Sequence, residues 1–279
     1  MVEYSVTLGS FLHLDSLTSI LENLSELGFH SIELMGKPLD FNWDYLKDIL
    51  NSYNITVYGV TGVWNNVDNF PKFLLSSRKD IVDYSKQYVY QCIDMCRYFE
   101  AKIFNVCLFS DPLQIDTNHY LISKSEKNKK IKKSALILDD LIKYSNDNGI
   151  SLLLEPLNRY STPFCTTVID FLKIKSLMKN DKLKILLDTY HMNIEEASIV
   201  DSIQSVRQYL YHIHLADNNR LMPSYGHIDF NSIIKKLMEI NYNYNLGFEP
   251  IFNTKNYITP LQKGFTFIDS MIHDYVFEA

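Results

Sequence analysis

Eight apolar, strand-like runs, each followed by a segment of helical period, succeed one another along this 279-residue chain. The strand-like runs are Tyr4–Leu8, Ser31–Met35, Thr56–Val60, Lys102–Cys107, Ile150–Glu155, Lys184–Asp188, Tyr211–Leu215 and Leu246–Glu249. Helical period is read over Leu14–Leu27, Trp43–Ser52, Arg78–Phe99, Ser134–Asn146, Val168–Met178, Ser198–Gln208, Phe230–Ile240 and Thr259–Asp274. Leu152-Leu153-Leu154 and Ile185-Leu186-Leu187 are continuous apolar runs, as expected of strands buried on both faces of a parallel sheet. Eight such strand–helix units predict an α/β chain folded as a single (β/α)₈ TIM barrel, with residues 1–279 as one domain. An open doubly-wound sheet fits less well, because no Gly-rich phosphate loop follows any strand. Asp15 or Ser16, Asp40, and Asp229 or Asn231 stand where helix N-caps belong. Gly28 and Gly149 stand where helices end in a left-handed residue.

Four of these strands close on a metal-ligand residue type. The runs ending at Glu155, Asp188, His214 and Glu249 belong to strands five to eight, and in such barrels chemistry sits at the C-terminal strand ends. A single acid at a strand end is an ordinary cap or surface charge. Three acids and an imidazole converging on one axis repel one another unless a cation or protons neutralise them. Three oxygen donors and one nitrogen suit one divalent ion, Mn²⁺ first and Co²⁺ or Mg²⁺ as alternatives.

Charge and composition narrow the partners. A net charge of −6 and a pI near 5.7 argue against nucleic acid, and no apolar stretch is long enough for a bilayer. The Met1-Val2-Glu3-Tyr4-Ser5 start has no basic-then-apolar pattern, so a cytoplasmic protein is expected. Cys92, Cys96, Cys107 and Cys165 lack zinc-site spacing and read as buried free thiols. The lysine-rich run Lys124 to Lys133 reads as a solvated loop leading into a helix start.

The motifs around the four strand ends resemble those of the xylose-isomerase-like sugar isomerases and epimerases, and within them the ketose 3-epimerases of D-tagatose and D-psicose type. The matching residues are Glu155-Pro156-Leu157-Asn158-Arg159-Tyr160, Leu187-Asp188-Thr189-Tyr190-His191-Met192-Asn193-Ile194-Glu195-Glu196 and His212-Ile213-His214-Leu215-Ala216-Asp217-Asn218-Asn219-Arg220, with Gly226-His227-Ile228-Asp229-Phe230 and Gly247-Phe248-Glu249. Similarity is dense over roughly residues 150–250; toward the N-terminus, Gly28-Phe29-His30-Ser31-Ile32-Glu33 looks like the family's second strand. The resemblance implies that Glu155, Asp188, His214 and Glu249 ligate the metal and that Glu155 and Glu249 are also the catalytic acid and base. It implies a small-molecule sugar substrate, contacts from His191 and Arg220 to the oxygens near C1 and C2, and a dimer or tetramer. The implied reaction is C3 epimerisation of a ketose: one glutamate removes the C3 proton to give a cis-enediolate, and the other returns a proton to the opposite face. Aldose–ketose isomerisation, by proton transfer between C1 and C2, remains open.

One departure bears on the substrate. Where the epimerases continue the Asn-Arg-Phe/Tyr motif with a substrate-contacting Glu, this chain has Ser161, and their Asn-Thr pair appears as Thr166-Thr167. A different ketose, a phosphorylated sugar or an oxidised glycoside thus stays open beside a free ketohexose. Phe11, Trp64 and Phe109 are read as ordinary packing that could instead shape the pocket. His227 and Asp229 are expected to order their loop or to orient His214. His212 is expected on the opposite face of its strand from His214, packed or facing a helix. The endonuclease IV type shares the barrel but needs two further histidines near strands two and three, and residues 31–118 contain none. A catalytically silent sugar-binding subunit would have no use for both Glu155 and Glu249.

Overall fold

The computed structural model describes residues 2–64, 71–111 and 122–278. Its strands are β1 (Glu3–Thr7), β2 (Ser31–Gly36), β3 (Thr56–Gly62), β4 (Ile103–Val106), β5 (Ser151–Leu154), β6 (Lys184–Asp188), β7 (Leu210–Leu215) and β8 (Asn245–Phe248). They pair in parallel in chain order, and β8 pairs with β1 to close the barrel. The helices among the described residues are α1 (Leu17–Glu26), α2 (Trp43–Ser52), α3 (Lys79–Tyr98), α4 (Lys124–Asp147), α5 (Val168–Leu177), α6 (Thr189–Glu195), α7 (Ile199–Val206), α8 (Phe230–Glu239) and α9 (Ile258–Glu278). None of them is long and apolar enough to cross a membrane.

Strand alternation divides the apolar residues into two sets. Leu152, Leu154, Ile185, Leu187, Ile213 and Leu215 face outward into the large core beneath the helices. Tyr58, Ile103, Leu153 and Leu186 form a separate small cluster that fills the barrel from within. This inner cluster is the floor beneath the polar residues at the strand ends.

Local chemistry starts and stops the helices largely as expected. Ser16 caps α1 and Asp229 caps α8, each accepting a backbone N–H from three residues on. Gly28 and Gly149 adopt φ of +84° and +72°. Two expectations are corrected, and one further helix is found. Asn42 caps α2 in place of Asp40, whose amide instead donates to the Lys37 carbonyl in a turn. The lysine-rich run is helical from Lys124, because Ser123 accepts the Glu126 N–H and Lys127 anchors on buried Asp170 at 2.6 Å. The short α6 was not anticipated; it begins directly where β6 ends.

Candidate metal centre

The same alternation brings the four strand-end residues together. Glu155 lies two residues beyond Leu153, Asp188 two beyond Leu186 and His214 two beyond His212, so each pair points into the barrel. One donor atom from each of Glu155, Asp188, His214 and Glu249 lies within 4.8 Å of the other three. Asp188 and His214 are fully buried, Glu155 nearly so, and the Glu249 side chain is 20% exposed. Glu155 and Glu249 both line the cavity of about 660 Å³ that opens above the quartet.

Asp188 divides its two oxygens. Oδ1 accepts the N–H groups of Tyr190 (2.8 Å) and His191 (3.4 Å), which starts α6, while Oδ2 accepts Arg220 Nη1 at 2.6 Å. Arg220 Nη2 donates to Glu249 Oε2, and the guanidinium lies 4.8 Å over the Tyr190 ring. The Arg220 backbone is left-handed, with φ +61°, and is pinned there by bonds to the Asp217 carbonyl (2.9 Å) and the Ile251 amide (2.7 Å). Such strain at a non-glycine residue costs about 1–3 kcal/mol and is held by its surroundings.

His191, the third residue of α6, does reach the cavity. Its Nδ1 accepts the Asn158 backbone N–H at 3.2 Å, so the neutral ring carries its proton on Nε2. Burial lowers its proton affinity, which keeps it a neutral donor. Arg159 makes a two-pronged pair with Glu195 (2.8 and 3.0 Å), tying the β5 loop to the end of α6.

The electrostatics of the quartet are unequal. Burial first, then Glu249 and Asp188, push the Glu155 carboxyl up to about 8. Burial would also raise Glu249, but contact with His214 and Arg220 holds it below the usual carboxylate range. Burial would lower His214, yet the carboxylates of Glu249 and Glu33 raise it well above an ordinary histidine. Three carboxylates are thus balanced by Arg220, a proton on His214 and a proton on Glu155. A divalent cation that replaced those two protons would leave the cluster equally neutral. His214 Nδ1 lies 3.1 Å from Glu249 Oε2 but has no hydrogen-bond partner among the described residues. A buried, unpartnered nitrogen facing three carboxylates fits a divalent ion.

Several neighbours escaped sequence reasoning. Asn105 accepts the Gly62 N–H and donates to Glu155 Oε2, both at 2.5 Å, and Cys107 Sγ stands 3.5 Å from that same oxygen. An Asn at an inward position of an otherwise apolar β4 was the signal available. His212 corrects an expectation outright: residues two apart share a strand face, so His212 points inward with His214. Both imidazoles donate from Nε2 to Glu33, each at 2.9 Å. His227 and Asp229 are exposed and do not touch His214; Asp229 caps α8, and the loop is ordered by Asp217, which accepts the Gly226 and Ile228 amides. Ser161 stands exposed at the cavity wall, and Thr167 caps α5. Trp64 and Phe109 line the cavity, whereas Phe11 is packed between Phe252 and Tyr257. The four cysteines are free and buried.

A family model described as "Xylose isomerase-like TIM barrel" matches residues 21–270. A D-psicose 3-epimerase from Ruminiclostridium cellulolyticum is 26% identical over 233 residues, covering 82% of this chain and 76% of that protein. A 3-dehydro-D-guloside 4-epimerase from Escherichia coli is 36% identical over 103 residues, covering 36% of this chain and 38% of its own length. The solved apo structure of a 3-keto-D-glucoside 4-epimerase from E. coli superposes with a TM-score of 0.81 at 20% identity, covering 97% of this chain and all of that one, 100%. At that identity the superposition speaks for the fold.

Proposed function

The chain belongs to the xylose isomerase-like TIM-barrel family, and from that premise we propose that it is a metal-dependent sugar epimerase that inverts C3 of a ketose. The observation that carries this reading is the convergence of Glu155, Asp188, His214 and Glu249 at the base of one cavity. Relatives named as 3- and 4-epimerases of sugars support it. Those four residues would hold the cation, and Mn²⁺ suits three oxygens and one nitrogen. A bound divalent ion supplies Lewis-acid polarisation of the substrate's keto oxygen.

The chain's own residues then move the protons. One of Glu155 and Glu249 takes the proton from the carbon beside the ketone, and the other returns a proton to the opposite face of the enediolate. His191 offers its Nε2–H, and Arg220 its guanidinium, to the sugar oxygens that gain negative charge. Each is already oriented, His191 by the Asn158 amide and Arg220 by its pinned backbone. The ends of β2 and β3, Met35-Gly36 and Thr61-Gly62, offer no imidazole for further metals, which leaves a three-metal nuclease short of ligands.

A second reading rests on Ser161. A hydroxyl stands at the cavity wall where a carboxylate would grip sugar hydroxyls, which favours a 3-keto glycoside or a phosphorylated sugar over a free ketohexose. Incubating the Mn²⁺-loaded protein in D₂O with ketoses, their phosphates and 3-keto glycosides tests both readings. Exchange at one carbon beside the ketone, lost in Glu155→Gln and in Glu249→Gln, is expected. Exchange that persists in both variants would sink the mechanism.

A further inference from the structure

Beneath the quartet lies a second cluster, Glu33, His212 and His214, in which every member is buried to 1% exposure or less. It has the composition of a metal site but not the vacancies of one. Glu33 Oε1 accepts Ser5 Oγ (2.8 Å) and His212 Nε2 (2.9 Å), and Oε2 accepts Thr61 Oγ1 (3.2 Å) and His214 Nε2 (2.9 Å). Two bonds to each oxygen use the acceptor capacity of a carboxylate. His212 Nδ1 lies 3.2 Å from the Asn245 carbonyl. Strands β1, β3 and β7 thus aim their donors at one carboxylate from β2. Strand β8 makes room for it: a Cβ on Gly247 would lie 2.4 Å from Glu33 Oε1 and 2.9 Å from His212 Nε2.

The consequence falls on His214, the residue shared with the quartet. An ionised carboxylate accepts only, so the Nε2 proton of His214 is committed to Glu33, and the proton that a cation would displace is the one on Nδ1. We propose that Glu33 is a positioning residue of the metal centre: by holding His214 Nε2–H, it fixes the ring and makes Nδ1 the nitrogen that meets the cation. This rests on the reading of the quartet as a metal site. Burial would raise the Glu33 carboxyl, but the two imidazoles beside it hold it well below the usual carboxylate range. Carboxylates that orient a ligating histidine in this way are commonly worth 10–100-fold in metal affinity.

The test reads metal binding rather than turnover. Calorimetric titration of the chelator-treated full chain with Mn²⁺ alone should show a dissociation constant raised about 10–100-fold in Glu33→Gln. A Gln oxygen can serve one imidazole, but its NH₂ group repels the other N–H. The Co²⁺-loaded variant should also show a changed visible absorption band, which a loss of folding stability alone would not produce. Histidine ¹⁵N NMR of the Mg²⁺-loaded wild type decides the matter even if the variant does not fold. It should find His214 protonated at Nε2 and bare at Nδ1. The opposite tautomer, or a folded Glu33→Gln chain that binds Mn²⁺ as tightly as wild type, overturns the positioning role. A wild-type chain that binds no divalent ion overturns the metal reading with it.

Discussion

Replacing Glu155 with Gln separates what this residue does for folding from what it does for chemistry. In the ion-free protein, burial and the neighbouring Glu249 and Asp188 push its carboxyl from 4.5 up to about 8. A neutral acid and a Gln amide have nearly the same shape, and Asn105 Nδ2 can donate to the side-chain oxygen of either. The folded state therefore binds this proton more tightly than the unfolded chain does. The resulting stabilisation is complete below pH 4.5 and is lost as pH rises toward 8, because the folded state holds the extra proton across that window. From 4.5 to 8, at about 1.36 kcal/mol per pH unit, the loss comes to on the order of 5 kcal/mol. The Gln variant carries no such proton. Glu249 titrates in both chains, so its contribution largely cancels in the comparison. Urea denaturation of chelator-treated wild type and Glu155→Gln at pH 5, 6.5 and 8 measures the difference. The two should be close at pH 5, with wild type several kcal/mol weaker relative to the variant by pH 8. Saturating Mn²⁺ should reverse the order at pH 8, since an ion that binds only the folded state adds to its stability. Parallel curves across the pH range would refute the idea that Glu155 is held protonated by an uncompensated carboxylate cluster.

Two further outcomes follow from the same charges. Because Glu155 and His214 both carry protons that the cation must displace, Mn²⁺ binding near pH 6.5 should release close to two protons, and affinity should fall as pH falls. Calorimetry in buffers of different ionisation enthalpy counts them, and a count of zero would contradict the charge balance. His191→Gln should lower kcat/KM by about 10²–10³, the usual effect of losing one donor to a developing oxyanion, while leaving the Mn²⁺ dissociation constant unchanged. Equal losses in turnover and in metal affinity would show instead that His191 supports the metal site.

The barrel was legible because its signals are redundant. Eight strand-like runs recur in register with eight helical segments, and continuous apolar runs such as Leu152 to Leu154 admit few structures other than a buried parallel strand. The four quartet residues were legible for a related reason: each closes an apolar run, so a change of chemistry marks the strand end. Features that depend on partners elsewhere, or on one residue serving two elements, were harder to see. Helix α6 has no linker before it, because Asp188 ends β6 and caps the helix at once. The first turns of α4 are hidden by lysines whose partners, such as Asp170 for Lys127, lie far along the chain. Asn105 and Cys107 are isolated residues whose meaning depends on Glu155 standing beside them.

Glu33 is the clearest case of function that sequence order conceals. It lies 181 positions from His214, at an inward site of a strand whose end carries no ligand. The run Gly28 to Glu33 marks a strand but does not by itself say that Glu33 faces His214. Its environment is built instead by Ser5, Thr61, His212 and the missing side chain of Gly247, each of which is unremarkable alone. A buried carboxylate with four donors is a rigid object: moving it breaks bonds to three other strands, and those bonds have no water to replace them. That rigidity is what a metal centre needs beneath it. A quartet that is to accept an ion, release two protons and face substrate, as proposed, cannot be fully satisfied by protein contacts. In the layer below, both oxygens of Glu33 are bonded twice, and His214 joins the two layers by giving one nitrogen to each.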